Sequence, residues 1–214
     1  MAWDTTEENI FSLAWSSGEG QINLNSQLGQ FLKEVASDTQ YKKYLEIGTW
    51  SGMGSTRCLH LGFLDRVEPF VFMSLECNKD KVEMAAVRYK DYPYVQIMNS
   101  SIIEPSVIPP VHILKEMFSD LKEEWHSIDM ENLATCSIVK DRDFDVVFLD
   151  VGEYTTYFEF KELVNSPSLR MIICDDTTTS KCRKVREELL SSSSWKVLID
   201  KPDDRNGWCV FTRR

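Results

Sequence analysis

Short apolar segments alternate along the chain with segments of helical periodicity. Seven segments are rich in aliphatic, β-branched and aromatic residues: Tyr44–Gly48, Val71–Glu76, Val95–Asn99, Phe144–Asp150, Met171–Asp175, Trp195–Asp200 and Trp208–Thr212. Most are continuous apolar runs, which are typical of parallel strands covered on both faces. Amphipathic segments predict helices at Gly54–Leu64, Lys79–Tyr89 and Lys181–Leu190. This order predicts an α/β fold with a seven-stranded, mostly parallel sheet and helices on both faces.

The last two predicted strands depart from the parallel pattern. Only residues 201–207, with the sequence KPDDRNG, lie between them, and that link is too short for a crossover helix. The pair Asn206-Gly207 favours a tight turn. We therefore expect the seventh strand to run antiparallel to the sixth, at or near an edge of the sheet.

Two longer regions lie outside this alternation, and we expect both to belong to one domain covering residues 1–214. Residues 1–43 are expected to form an N-terminal helical cap, with a helix from about Ser26 to Ser37. Residues 102–143 form an insertion between the third and fourth strands, and a helix is predicted there from Val111 to Trp125. Long insertions near a site often act as lids. We expect the segments around Gly18–Asn23 and after Pro109 to roof a binding pocket.

Charge and composition argue against several classes of protein. The formal net charge is −10, which disfavours a nucleic-acid partner, because proteins that bind phosphates usually present a basic face. No apolar run is long enough to span a bilayer, and the first residues do not resemble a secretory signal. We therefore expect a soluble cytoplasmic protein with no membrane partner. The six cysteines lack metal-binding spacing and are expected to be free thiols. The oligomeric state is left open.

The segment from Tyr44 to Thr56, YLEIGTWSGMGST, is the strongest functional motif. A buried strand ends near Glu46, and glycines lead from it into a helix. Ligands of open α/β sheets bind beyond the carboxyl ends of the strands, and glycines let the backbone turn tightly and approach a ligand. The spacing is not that of a dinucleotide-binding turn. An acidic residue two positions before the first glycine suits an ammonium group better than a diphosphate.

The second predicted strand ends in a further acidic residue, Glu76. One carboxylate can accept two hydrogen bonds, so a glutamate in this position can bind both hydroxyls of a ribose. The third strand ends in Asn99, Ser100 and Ser101. These polar residues are expected either to face a ligand or to cap the following turn.

These features resemble the class I, Rossmann-like S-adenosylmethionine-dependent methyltransferases, and the resemblance covers about residues 40–214. The motif E-x-G-x-x-x-G corresponds to the first motif of that family. The resemblance implies S-adenosylmethionine as cofactor, with Ser100 and Ser101 beside its adenine. The implied cofactor-binding residues are Glu46, Gly48, Thr49, Trp50, Gly52, Ser55, Glu76, Ser100, Ser101 and Asp150.

Three aspartates end two of the predicted strands, Asp150 the fourth and Asp175 with Asp176 the fifth. Like charges at one sheet edge need a cation or protons to neutralise them, and hard divalent ions prefer oxygen ligands. The arrangement resembles the metal-dependent O-methyltransferases of the catechol type, with Asp where those enzymes carry Asn. It implies a divalent metal, Mg²⁺ or Mn²⁺, held by all three aspartates. The alternatives without metal are ligand contact by Asp150 and a capping role for the pair.

Asp150 and Glu153 are the candidate catalytic residues. Glu153 stands where the catechol-type enzymes place a lysine base, so the resemblance implies a base or a further metal ligand at this position. The alternative for the loop GEYTTYFEF is the first turn of a helix. The three histidines lie outside the strand-end motifs, which argues against a histidine base.

The combined pattern of LEIGTWSGMGST, FLDVGEYTTY and CDDTTT is similar to small sugar and natural-product O-methyltransferases. Some of these modify glycans of bacteria and large DNA viruses. The resemblance implies divalent-metal-assisted O-methylation of a hydroxyl on a small-molecule or glycan acceptor, with a sugar favoured. A metal-independent methyltransferase of a small metabolite and a non-catalytic cofactor-binding subunit are the alternatives.

Overall fold

The computed structural model describes residues 21–214, in which eight strands form one sheet. In chain order they are β1 Lys43–Ile47, β2 Val71–Glu76, β3 Val95–Ser101, β4 Ser137–Ile138, β5 Val146–Leu149, β6 Met171–Asp175, β7 Trp195–Lys201 and β8 Trp208–Arg213. Their spatial order is β4-β3-β2-β1-β5-β6-β8-β7. The paired strands from β1 to β6 are parallel, whereas β8 is antiparallel to β6 and to β7. The strand order reverses at β1, so a crevice opens beyond the carboxyl ends of β1, β2 and β5.

Seven α-helices cover the sheet in the described part of the chain. They are α1 Gln27–Ser37, α2 Ser55–Phe63, α3 Lys79–Arg88, α4 Val111–Met117, α5 Glu123–Leu133, α6 Thr156–Leu163 and α7 Arg183–Ser191. Side chains cap two of them in the usual way. Ser26 Oγ accepts the Gly29 N–H at 3.1 Å, and Asn78 Oδ1 accepts the Lys81 N–H at 3.1 Å.

Each face of the sheet has its own apolar core. Successive strand residues point to opposite faces, so Tyr44 and Leu45 of β1 belong to different cores. One core packs the sheet against α1 and α2, through residues such as Leu32 and Phe63. The other packs it against α4, α6 and α7, through residues such as Phe160. The predicted layers, with helices on both faces, are confirmed.

The predicted topology is confirmed, and the structure adds one short strand. β7 and β8 form the antiparallel hairpin, with β7 at the sheet edge. The strand absent from the prediction is β4, whose two residues pair with the end of β3. It lies in the 102–143 insertion, and two residues are too few to produce a recognisable period.

The single helix predicted from Val111 to Trp125 is two helices. Phe118 has extended backbone angles, φ −127° and ψ 96°, and it ends α4. Its side chain is buried with Leu114 in the core, while Trp125 of α5 is 42% exposed. The predicted stripe therefore leaves the core after a break at Ser119 and Asp120, residues typical of turns, since Trp125 is not part of the core.

No described helix combines the length and the apolar character needed to cross a membrane. The six cysteines are free thiols, as predicted, and four of them are buried.

Candidate active site

The loop between β1 and α2 is fastened to the end of β2. The N–H groups of Gly48 and Thr49 both donate to the Leu75 carbonyl, at 2.8 and 3.2 Å. The Trp50 N–H donates to Glu76 Oε2 at 2.7 Å. The helix α2 then begins at Ser55 with no side-chain cap. The free N–H groups of its first turn, together with the helix dipole, favour an anionic group there.

A cavity of 720 Å³ lies at the carboxyl ends of β1, β2, β5 and β6. Its volume is within the range usual for small-molecule sites. Nine of the residues predicted for the site line it: Gly48, Thr49, Trp50, Ser55, Glu76, Asp150, Glu153, Asp175 and Asp176. The sheet thus brings most of the predicted cofactor, metal and catalytic residues to one cavity.

Glu46 and Gly52 are predicted cofactor residues that do not line this cavity. Glu46 is fully buried, and its Oε2 accepts hydrogen bonds from the hydroxyls of Thr56, at 2.7 Å, and Ser74. Burial raises its pKa to about 7. The Gly52 carbonyl accepts the Tyr89 hydroxyl. Both residues therefore form hydrogen bonds within the protein, and the buried Oε1 of Glu46 has no hydrogen-bond partner among the described residues.

Ser100 and Ser101 also lie away from the cavity. Ser100 Oγ shares a hydrogen bond of 2.6 Å with Ser137 Oγ of β4, and Ser101 Oγ donates to Glu159 Oε1 of α6 at 3.0 Å. The insertion and α6 therefore cover the end of β3, and both hydroxyls bond inside the protein. The link from β2 to α3 and the end of α5 line the cavity instead, through Cys77, Asn78, Asn132 and Leu133.

Glu159 allows a test of this buried contact. Burial raises its pKa from 4.5 to about 8. The folded protein therefore retains this proton while the unfolded chain loses it, and stability falls as the pH rises between those values. We expect Glu159→Gln to increase the free energy of unfolding at pH 8.5 by about 1–3 kcal/mol. At about pH 4.5 the variant and the wild type should be nearly equal, as urea denaturation at both pH values would show.

Glu162→Gln is the matched control on the same helix. The Glu162 side chain is 47% exposed, with Arg142 3.9 Å away, and exposed pairs contribute little. Its effect should be small at both pH values. An equal effect of Glu159→Gln at the two pH values would show that folding does not raise the pKa of Glu159.

The three strand-end aspartates come together as the sequence predicts. Asp150, Asp175 and Asp176 each offer a carboxylate oxygen, and these atoms all lie within 4.8 Å of one another. Burial, and then the charges of Asp150 and Asp176, raise the pKa of Asp175 to about 6. The geometry alone suits an oxygen-ligand cation site.

Two basic residues that the sequence analysis did not assign to the site form ion pairs with all three aspartates. Lys181 Nζ lies 2.8 Å from Asp150 Oδ1 and 2.8 Å from Asp176 Oδ2. Burial lowers the pKa of Lys181, but the two carboxylates raise it more, so the pKa is well above its ordinary value. Arg205 donates to both oxygens of Asp175 from the turn between β7 and β8. The sequence predicts a metal because three unpaired carboxylates meet at one sheet edge. In the structure these carboxylates are paired with side chains of the protein, so that reason no longer holds.

Strained backbone is concentrated at the same cavity. Within residues 21–214, the non-glycine residues with positive φ are Trp50, Asp176 and Arg205, at 50°, 52° and 55°. All three line the cavity. Such angles are unfavourable for side-chain-bearing residues and tend to occur at functional sites. The three residues with unfavourable backbone angles thus cluster at this cavity, as is common at binding and catalytic sites.

Helix α5 forms the wall opposite the strand ends. Trp125, Ile128, Asp129 and Asn132 line the cavity from it, in agreement with the roof predicted after Pro109. Asp129 Oδ2 accepts the Tyr154 N–H at 3.2 Å, and burial raises its pKa to about 6. The other predicted roof is the segment Gly18–Asn23. Its residues 21 and 22 line the cavity, whereas residues 18–20 lie outside the described residues.

Solved structures share this fold over nearly the whole chain. The cofactor-bound protein Rv0187 from MTB is 17% identical, with a TM-score of 0.61, covering 99% of this chain and 91% of that one. The O-methyltransferase from Bacillus cereus, in complex with SAH, is 16% identical, with a TM-score of 0.58 and coverage of 100% and 93%. The SAH-bound methyltransferase PaMTH1 from Podospora anserina is 16% identical, with a TM-score of 0.56 and coverage of 87% and 78%.

At this level of identity the likeness shows the fold, a Rossmann-like sheet with an antiparallel carboxyl-terminal hairpin. No protein-family model matches the chain, and no curated protein sequence matches it.

Proposed function

We propose that the protein is an S-adenosylmethionine-dependent O-methyltransferase. The observation that carries the proposal is the cavity at the strand-order reversal, where a glycine loop, a helix N-terminus and the Glu76 carboxylate meet. SAH-bound methyltransferases of the same fold support the choice of cofactor. The proposal explains why a cavity of this size is strongly acidic, because the sulfonium form of the cofactor is a cation.

The donor set of the cavity fits the parts of this cofactor. Glu76 has carboxylate lone pairs beyond those used by the N–H groups of Trp50 and Asn78, at 2.7 and 2.8 Å, and can accept the ribose hydroxyls. The uncapped first turn of α2, beginning at Ser55, suits the carboxylate of the methionine part. The apolar side of Leu133 and the polar groups of Asn78 and Asn132 suit the adenine.

The residues near Asp150 would position the acceptor and receive its proton. When bound, S-adenosylmethionine supplies the methyl group, whose carbon–sulfur bond breaks as the acceptor oxygen forms a carbon–oxygen bond. Asp150 and Glu153 lie at the same cavity, and we assign the proton of the acceptor hydroxyl to the Glu153 carboxylate. Burial raises the pKa of Glu153, which brings a carboxylate closer to the pKa that suits a general base near neutral pH.

The acceptor is proposed to be a neutral hydroxylated molecule, with a sugar or glycan favoured. The cavity wall carries six carboxylates, at Glu76, Asp129, Asp150, Glu153, Asp175 and Asp176. Such a wall disfavours phosphates and carboxylates and provides many acceptors for hydroxyl groups. Trp125 lines the cavity beside them and is 42% exposed, and the Lys122 ammonium lies 3.6 Å from the centroid of its ring. Methyl transfer to neutral sugars, with catechols and phosphorylated sugars as comparison acceptors, tests this choice.

Asp150, Asp175 and Asp176 are the ligands that the sequence predicts for a divalent metal. Their oxygens are close enough together, but Lys181 Nζ already bridges Asp150 and Asp176. As arranged, the residues do not accommodate an ion between them. The proposed reaction therefore contains no step on a metal.

The cofactor assignment predicts a specific loss of affinity. We expect Glu76→Ala to weaken S-adenosylmethionine binding by about 1–3 kcal/mol, because a charge-assisted pair of hydrogen bonds to the ribose is lost. Isothermal titration calorimetry of the folded variant measures this change. Glu83→Ala on the exposed side of α3 is the control and should bind as the wild type does. Wild-type affinity in Glu76→Ala would place the ribose elsewhere.

A further inference from the structure

We propose that Lys181 is the resident cation of the aspartate cluster and occupies the position that a divalent ion would take, so that methyl transfer needs no metal. The aspartate cluster here means Asp150, Asp175 and Asp176. The first half of the inference is that Lys181 occupies the position of the ion, and it can be tested without any enzymatic activity. The second half is that methyl transfer needs no metal, and it rests on the proposed function.

The position of the ammonium is the first argument. Lys181 Nζ is 2.8 Å from one oxygen of Asp150 and 2.8 Å from one oxygen of Asp176. An ion bridging those oxygens would lie about 2.1–2.5 Å from each. The two cations would therefore nearly coincide. The Lys181 side chain is only 17% exposed, so moving aside would cost it two ion pairs in a largely buried place.

The charge balance is the second argument. The three aspartates face two cations, since Arg205 pairs with both oxygens of Asp175 and lies 3.8 Å from Asp176. The cluster then carries one excess negative charge, which suits a site for a cationic ligand. A divalent ion added while Lys181 and Arg205 remain would bring a third cation among three aspartates, and like charges brought together in a largely buried place are costly.

The remaining donor of Lys181 gives the cation a role. An ammonium has three N–H donors, and the contacts to Asp150 and Asp176 use two. Lys181 also lines the cavity, so its third N–H can donate to the oxygen of an acceptor hydroxyl. A positive charge held beside that oxygen stabilises the negative charge that develops as the proton leaves. Lys181 thereby supplies the charge stabilisation expected of a metal.

Binding of Mn²⁺ tests the first half. Electron paramagnetic resonance of free Mn²⁺ should show no stoichiometric uptake by the wild type up to about 1 mM, the weak end of divalent-ion sites. We expect Lys181→Met, which removes the ammonium and keeps the chain length, to gain one Mn²⁺ per chain. Lys196→Met on the exposed edge strand β7 is the matched control and should behave as the wild type.

Two outcomes overturn the inference. One is uptake of one Mn²⁺ by the wild type that disappears in Asp176→Asn, and this comparison decides even if Lys181→Met fails to fold. The other is a folded Lys181→Met that binds no Mn²⁺, because the ammonium and the ion would then not share a position.

Turnover tests the second half. Wild-type methyl transfer should be unchanged after EDTA treatment, whereas Lys181→Met should lose at least about 100-fold in kcat with unchanged affinity for S-adenosylmethionine. Mn²⁺ should restore part of the loss in Lys181→Met, which a merely structural role would not explain. Loss of wild-type turnover with EDTA overturns the proposal. If no acceptor is ever methylated, the proposed function fails, while the Mn²⁺ titration still decides the role of Lys181.

Discussion

Asp150→Asn is expected to lower kcat by at least about 100-fold while changing S-adenosylmethionine affinity much less. The substitution keeps the shape of the side chain but removes the charge that holds Lys181 Nζ at 2.8 Å. The ammonium is then paired with Asp176 alone and is no longer held between the ends of β5 and β6. Steady-state kinetics and calorimetry on the same preparation separate the two effects.

Asp143→Asn is the matched control for this prediction. Asp143 forms an ion pair with Lys43, but its side chain is 60% exposed and far from the cavity lining. The same change of charge should therefore leave kcat near the wild-type value. Equal kcat in Asp150→Asn and the wild type would remove Asp150 from the catalytic residues.

Gly48→Ala is expected to lower the free energy of unfolding by about 2–5 kcal/mol, through backbone strain and overpacking together. Gly48 has a φ of 105°, and a Cβ built there would lie 1.9 Å from the carbonyl oxygen of Asp150. The neighbour is backbone and cannot rotate away, so the β1 loop and the end of β5 must separate. Urea denaturation measures the loss.

Ser51→Ala in the same loop separates crowding from a general effect of mutating the loop. Ser51 is buried, and its hydroxyl has no hydrogen-bond partner among the described residues. Removing that oxygen should change the free energy of unfolding by less than about 1 kcal/mol. If Gly48→Ala were as stable as Ser51→Ala, the backbones of Gly48 and Asp150 would not approach each other as closely as the structure shows.

The sequence predicts those features that follow from local pattern. Continuous apolar runs place β1, β2 and β6 to within a residue or so, because strands buried on both faces leave a clear signature. The meeting of Asp150 with Asp175 follows too, since parallel strands end at one edge of the sheet. Prediction is good here because each inference needs only the order of the elements.

The features that the sequence does not predict depend on how separate elements pack. Lys181 precedes a helix and Arg205 lies in a turn, and both are ordinary places for solvated basic residues. Only the folded arrangement directs them onto the aspartates. Likewise the hydroxyls of Ser100 and Ser101 form hydrogen bonds with β4 and α6, so they do not face the cavity. No short window of sequence shows which neighbour will cover a strand end.

The hairpin has a consequence for how such a site can diversify. A strand added through a crossover helix enters the sheet at the edge opposite the ligand, whereas an antiparallel hairpin returns its turn to the ligand edge. The β7–β8 turn therefore brings Arg205 to Asp175 without involving any crossover connection. Residues 202–206 therefore bear on the ligand edge without belonging to the core, and a substitution at Arg205 would change the charge beside Asp175 directly. Asp204 and Asn206 bond to Trp208 and Asp176, so they tie the same turn to β8 and to the aspartate cluster.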